Sequence, residues 1–161
     1  MNWLIDAIAS ELFRSVMLLV AAVIATASVV SAHRTAKKKQ AIEMILQTRQ
    51  DDLLSKSLRK IQELHHAAED NIRRYGSVDL NTHDTTVCIR YALNHYEFVA
   101  IGIDAGIYDE QMIKNASYST ITKMYERAAP FIEHVRTAHS TPTYFQALEA
   151  LVKRWKEKPL V

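Results

Sequence analysis

Arg90, Asn94 and Glu97 are the side chains of this sequence whose types and spacing could do chemistry together. They fall at i, i+4 and i+7, on one face of an otherwise apolar helix. A carboxylate beside an amide and a guanidinium could anchor a polar ligand or accept a proton. Charged groups are seldom buried without partners. This face therefore either lines a cleft or is matched from another helix, with Arg136, Glu126 and His134 as candidates. The competing reading, which the sequence favours, is a structural polar ladder that sets helix register.

The other polar groupings are weaker. His65 and Glu69 share a helix face beside His66, but a zinc site wants three or four ligands and the single Cys88 is remote. Asp104, Asp109 and Glu110 flank a turn and read as caps, because the ordered ligand loop of a calcium site is missing. There is no phosphate-cradling Gly loop, no G-x-S-x-G and no paired-Cys motif. No catalytic residue, cofactor or metal site is assigned, and the reading favours a protein that is not an enzyme. Gly102 and Gly106 have a G-x-x-x-G spacing that here means close packing and a helix stop.

These residues must be positioned by helices. Only three Gly and three Pro occur in 161 residues, and no alternating strand pattern appears. The fold class is all-α: an N-terminal transmembrane helix continuing into a cytoplasmic bundle of about four to five helices. A first cytoplasmic helix is predicted over 34–75 with no internal break. Its inner seam is expected at Ile42, Ile45, Leu46, Arg49 and Leu53, then at Leu54, Leu58, Ile61, His65, Ala68, Ile72 and Tyr75. A loop over 76–83 leads to a central helix to about residue 105, apolar over most of its surface and capped by Thr82, Asp84 or Thr85. A short helix at 109–115 and a longer one opened by Ser117 or Ser119 follow, with Pro130 expected to kink or split the latter. Thr141-Pro142 predicts the start of the last helix, with Phe145, Leu148, Leu151, Val152 and Trp155 inward.

Residues 15–32 carry no charge and are mostly apolar. Extended by Leu12 and Phe13, the run reaches the roughly 20 residues that a helix needs to cross a bilayer. Arg34, Lys37, Lys38 and Lys39 follow it at once, while the residues before it hold one Arg against Asp6 and Glu11. Lys and Arg stay on the cytoplasmic side. The expected layout is an interfacial segment at 1–13, a transmembrane helix at 14–33 and a cytoplasmic helical domain at 34–161. Trp3, Leu4, Ile5, Ile8 and Leu12 would lie in the outer headgroups. The acids near the start argue for a retained anchor over a cleaved signal. The localisation is a bacterial inner membrane, single-pass, with the N-terminus outside.

The formal charge is only +2, and its basic concentration sits beside the membrane, where anionic lipid would attract it. That excludes nucleic acid as the expected partner, since no basic stripe with interleaved aromatics appears in the domain. The lone Cys88 fits a reducing compartment. Small residues repeat along the span, Ala21 with Ala25 and Ala27 with Ser31, a spacing that lets helices approach closely in lipid. Expected partners are membrane lipid, and either another membrane or cytoplasmic protein or a second copy through the span and the first long helix.

The stretch from Asn94 to Glu110, Asn-His-Tyr-Glu-Phe-Val-Ala-Ile-Gly-Ile-Asp-Ala-Gly-Ile-Tyr-Asp-Glu, resembles the core motif of a bacterial and phage family called domain of unknown function 4760. The motif residues are Asn94, Tyr96, Glu97, Gly102, Gly106, Tyr108 and Glu110, with Pro130, Arg136, Phe145 and the closing Trp155 agreeing later. His95 stands where aliphatic or aromatic residues are usual. The resemblance covers most of 36–155 and implies a helical, often membrane-tethered domain without an assigned activity. Two function classes follow. One is a membrane-tethered interaction domain, in a phage-related setting of exclusion, defence or modulation of a host complex. The other is a small-ligand sensor or enzyme using the Arg90, Asn94 and Glu97 face.

Overall fold

The computed structural model describes residues 2–67 and 71–160, apart from the side chains of residues 2–10 and 12. Among the described residues there are five α-helices and no strand: α1 (Asn2–Gln50), α2 (Asp52–His66), α3 (Asp84–Asp104), α4 (Glu110–Ala138) and α5 (Gln146–Glu157). Two 3₁₀ turns, Ile72–Gly76 and Val78–Leu80, link α2 to α3. The chain divides into two units, Met1–Lys37 and Lys38–Val161.

The first unit is the N-terminal part of α1. The helical stretch Phe13–Gln50 is long and apolar enough to cross a membrane, with a window of mean hydropathy 2.3 of which nothing is buried. Its few hydroxyls are satisfied within the helix. Thr26 donates to the Ala22 carbonyl and Ser28 to the Ile24 carbonyl, each at 2.8 Å, so neither needs water. The expected interfacial face of Trp3, Leu4, Ile5, Ile8 and Leu12 lies outside the described side chains; the backbone there belongs to α1.

In the second unit the predicted unbroken helix over 34–75 is interrupted. Asp51 takes an extended conformation (φ −83°, ψ 96°), and its Oδ1 accepts from the Leu54 N–H at 2.8 Å, capping α2. Its Oδ2 accepts from the Tyr91 hydroxyl at 2.7 Å. An Asp that finds both partners ends a helix without Pro or Gly. The inner seam differs too. Ala41, Met44, Ile45 and Thr48 are covered, while Ile42, Leu46, Arg49 and Leu53 are exposed. In α2 the buried residues are Leu54, Ser57, Ile61 and Leu64, with Leu58 half-buried and His65 exposed. Ile72 and Tyr75 are buried, but in a 3₁₀ turn. Ala68 and Glu69 lie outside the described residues.

His83 caps α3, its Nδ1 accepting from the Thr85 N–H at 3.2 Å, in place of the expected Thr82, Asp84 or Thr85. The Thr86 hydroxyl donates to the Tyr75 carbonyl at 3.0 Å and pins the preceding turn to α3. At the other end Gly106 has φ 69°, the left-handed conformation that stops a helix. Asp109 caps α4 through the Met112 N–H at 3.0 Å. One helix then runs to Ala138, not two, with Ser117, Ser119 and Pro130 inside it. The last helix starts later than Thr141-Pro142 suggests. Residues 142–145 form turns, and Phe145 (φ 57°), with its ring buried, precedes α5.

The core lies among α2, α3, α4 and α5. Trp155, Phe131, Leu54, Ile61, Ile89, Leu93 and Leu148 are among its largest closed-off side chains. α3 is the central helix, yet it is not covered all round. Val87, Tyr91, Phe98 and Ile101 stay exposed, Phe98 by 72%.

Candidate functional site

The face predicted to do chemistry does not close on a common ligand. Arg90 donates from Nη2 to Asn81 Oδ1 at 2.7 Å. Asn94 is exposed to solvent. Glu97 turns to α5, where Oε1 accepts from the Ala147 N–H at 3.1 Å and Oε2 from the Leu148 N–H at 2.7 Å. Those amides are among the first of α5, and Phe145 supplies no side-chain cap. A carboxylate placed there satisfies orphan donors and meets the positive end of the helix dipole. Glu97 is thus a cap delivered from a neighbouring helix.

The expected partners are engaged elsewhere. Arg136 donates to the Tyr144 carbonyl from Nε at 2.9 Å and from Nη2 at 2.7 Å, and from Nη2 to Glu149 Oε2 at 2.6 Å. It braces the turn between α4 and α5. Glu126 pairs with Lys156. His134 packs against Gly76 and lies 3.3 Å from the Ser77 hydroxyl. Arg90, Asn94, Glu97 and Arg136 are thereby distributed over a loop, solvent and the start of α5.

The motif around the two glycines has a mechanical explanation. A Cβ on Gly102 would stand 2.3 Å from the Tyr108 ring, so the ring lies directly on the helix backbone. The Gly102 carbonyl accepts from the Ile107 N–H at 2.9 Å, folding the chain back. Glu110 Oε1 then accepts from the Trp155 indole at 2.9 Å and from Arg154 Nε at 3.1 Å, while Arg154 Nη2 reaches Asp104 at 3.1 Å. The turn between α3 and α4 is tied in this way to the end of α5. Tyr96 is 2% exposed, and burial pushes its hydroxyl up to about 12, out of range for proton transfer near neutrality.

Motif and later residues thus hold α3, α4 and α5 in one arrangement, and the family whose core they resemble can be compared as a whole. The family described as "Domain of unknown function (DUF4760)" matches residues 15–155. The chain belongs to that family. No curated protein and no solved structure matches it. In this member, Asn94, Tyr96, Glu97, Gly102, Gly106, Tyr108, Glu110 and Trp155 divide into one exposed residue and seven that cap, pack or turn. His95 is half-buried, with Nε2 3.0 Å from the Thr48 hydroxyl of α1.

Two further features lie outside the predicted polar face. The first is a cleft of about 350 Å³ between α2 and α4, with Arg59, Lys123 and Arg127 on its walls and Ile61 and Met124 on its floor. It is open, and Arg59 and Lys123 are exposed in the manner of ordinary solvated surface. The second is the outer stripe of α3: Val87, Tyr91, Asn94, Phe98 and Ile101 are all exposed and spaced 4, 3, 4, 3. Its signal was present in the sequence as an apolar surface wider than one core can cover. Among the described residues no group of His, Cys, Asp and Glu is arranged to hold a metal.

Proposed function

We propose that this protein is a single-pass protein of the bacterial inner membrane that presents its helical domain to the cytoplasm as an interaction module. The uncharged run at 15–32 and the cluster Arg34, Lys37, Lys38 and Lys39 support the span and its orientation. The observation that carries the interaction reading is the outer stripe of α3. Large apolar side chains exposed along one helix face of a folded domain form a surface that a partner can cover. Its aromatic members, Tyr91 and Phe98, are of the types that anchor interfaces. The polar motif residues support the same reading, because their hydrogen bonds are spent on holding α3 in place. The phage-related setting, exclusion of a second phage or modulation of a host membrane complex, extends the family resemblance and forms part of this proposal.

A photo-crosslinking residue at position 98, introduced into the full chain in native membranes, tests the reading. It predicts a protein–protein adduct. Capture of lipid alone, or of nothing, overturns it.

A further inference from the structure

The cleft between α2 and α4 gathers positive charge with no negative charge to answer it. Exposed lysines and arginines are ordinary by themselves. Six others of this domain, Lys39, Lys60, Arg73, Arg136, Arg154 and Lys156, each pair with a carboxylate. The three cations of the cleft do not. Arg59 and Lys123 have no ionic or hydrogen-bonded partner among the described residues, and Arg127 has only the neutral Gln62 Oε1, at 3.4 Å. No Asp or Glu lines the cleft. The acids beside it in sequence are engaged elsewhere, Glu63 by Lys60 and Glu126 by Lys156.

We infer that this cleft binds a small organic phosphate. The site uses α2 and α4 and does not depend on the interaction reading of α3. Arg59 stands on one wall, with Lys123 and Arg127 one turn apart on the other. Like charges held across a cleft repel, and an anion between them removes the repulsion. Ser119 and Thr120, one turn before Lys123, add hydroxyl donors that make no hydrogen bond of their own among the described residues. Donors on two walls, with a formal charge of three, suit the several oxygens of a phosphate better than a single planar carboxylate. The floor is of another kind. Ile61 is 1% exposed and Met124 3%, so an apolar surface lies beneath the cations to receive a carbon body. The volume of about 350 Å³ is that of a small-molecule site. A soluble phosphate ester and the headgroup of an anionic lipid share this chemistry.

Titration of the full-length protein with hexyl phosphate, in nanodiscs of phosphatidylcholine, tests the site by calorimetry. Hexyl phosphate should bind saturably. It should bind at least about tenfold tighter than inorganic phosphate, which has no carbon body to bury, and than hexanoate, which offers fewer acceptors. Arg59→Gln combined with Lys123→Gln should weaken it about tenfold or more. Arg49→Gln combined with Lys153→Gln removes the same charge from α1 and α5 and should change affinity by less than about twofold, because distant charges are screened. All four positions are exposed, and equal melting temperatures of the two variants show that the fold is kept. Nanodiscs of equal parts phosphatidylcholine and phosphatidylglycerol identify the source. Lost binding there means that a lipid headgroup already fills the cleft, and unchanged binding means a soluble ester; both uphold the phosphate site. No saturable binding in phosphatidylcholine, equal affinity for hexanoate, or equal weakening by both pairs of substitutions overturns it.

Discussion

The carboxylate of Glu97, in the middle of α3, lies 2.7 Å from the backbone nitrogen of Leu148 at the start of α5. With the Ala147 bond, this makes Glu97 the N-terminal cap that α5 lacks within its own sequence. A residue with the credentials of a general base is here a fastener between two helices.

Loss of that fastener has a predictable cost. Glu97→Ala should lower unfolding free energy by about 2 kcal/mol, because two amides lose a charged acceptor. Glu97→Gln keeps one carbonyl oxygen and should lose about half as much. Denaturant melts of the detergent-solubilised protein check this. Equal stability of all three forms would show that the bonds carry no weight.

Gly102 should tolerate no side chain while Tyr108 is present. Alanine there would push its Cβ into the ring, at a cost of about 1–3 kcal/mol that exceeds the gain in helix propensity. Tyr108→Ala should be costly alone but should relieve the clash in the double variant. A double-mutant cycle measures this coupling. Additive effects would contradict the packing account.

Stability should fall as pH drops below about 6.5. Burial holds the His95 imidazole below its ordinary value, with Asp51 opposing in part. The folded state therefore takes up the proton less readily than the unfolded chain. The contribution of His95 is complete above the unfolded value and is lost as pH falls toward the lower, folded one. Melting temperatures compared at pH 7.5 and 5.5 should drop less for His95→Gln than for the wild type. Matching drops would remove His95 from the account.

Phe98 and Phe131 should behave oppositely. Phe98 is 72% exposed and Phe131 0%. Phe98→Ser should change stability by less than about 0.5 kcal/mol yet abolish protein capture by a photo-crosslinking residue at position 101, whereas Phe131→Ala should cost about 3–5 kcal/mol. Thermal melts run beside crosslinking separate the two effects.

Much of this fold was legible in the sequence, and the parts that were not share a cause. The charge-free run, the scarcity of Gly and Pro, and the stop at Gly106 are local signals, and they led to an apolar N-terminal helix, an all-α domain and the end of α3. Misread elements were those decided by contacts distant in sequence. The break at Asp51 needs Tyr91, forty residues on. The start of α5 needs Glu97, not the nearby Thr141-Pro142. The inward face of α1 carries Ala41 and Thr48, the latter beside His95 of α3, whereas counting large apolar residues puts the seam at Ile42 and Leu46. Arg90, Asn94 and Glu97 look like one site in the sequence because they share a helix face. Their partners, Asn81 for Arg90 and the α5 amides for Glu97, could be known only from the folded chain.

The central claim is a domain held inside the cell by a single N-terminal span, and side-specific cysteine labelling tests it most directly. In full-length protein carrying Cys88→Ser, a membrane-impermeant maleimide should label Asn2→Cys in intact spheroplasts, and Lys153→Cys only after the membrane is opened. Labelling of Lys153→Cys from outside, or recovery of the unlabelled protein in the soluble fraction after lysis, would contradict the account.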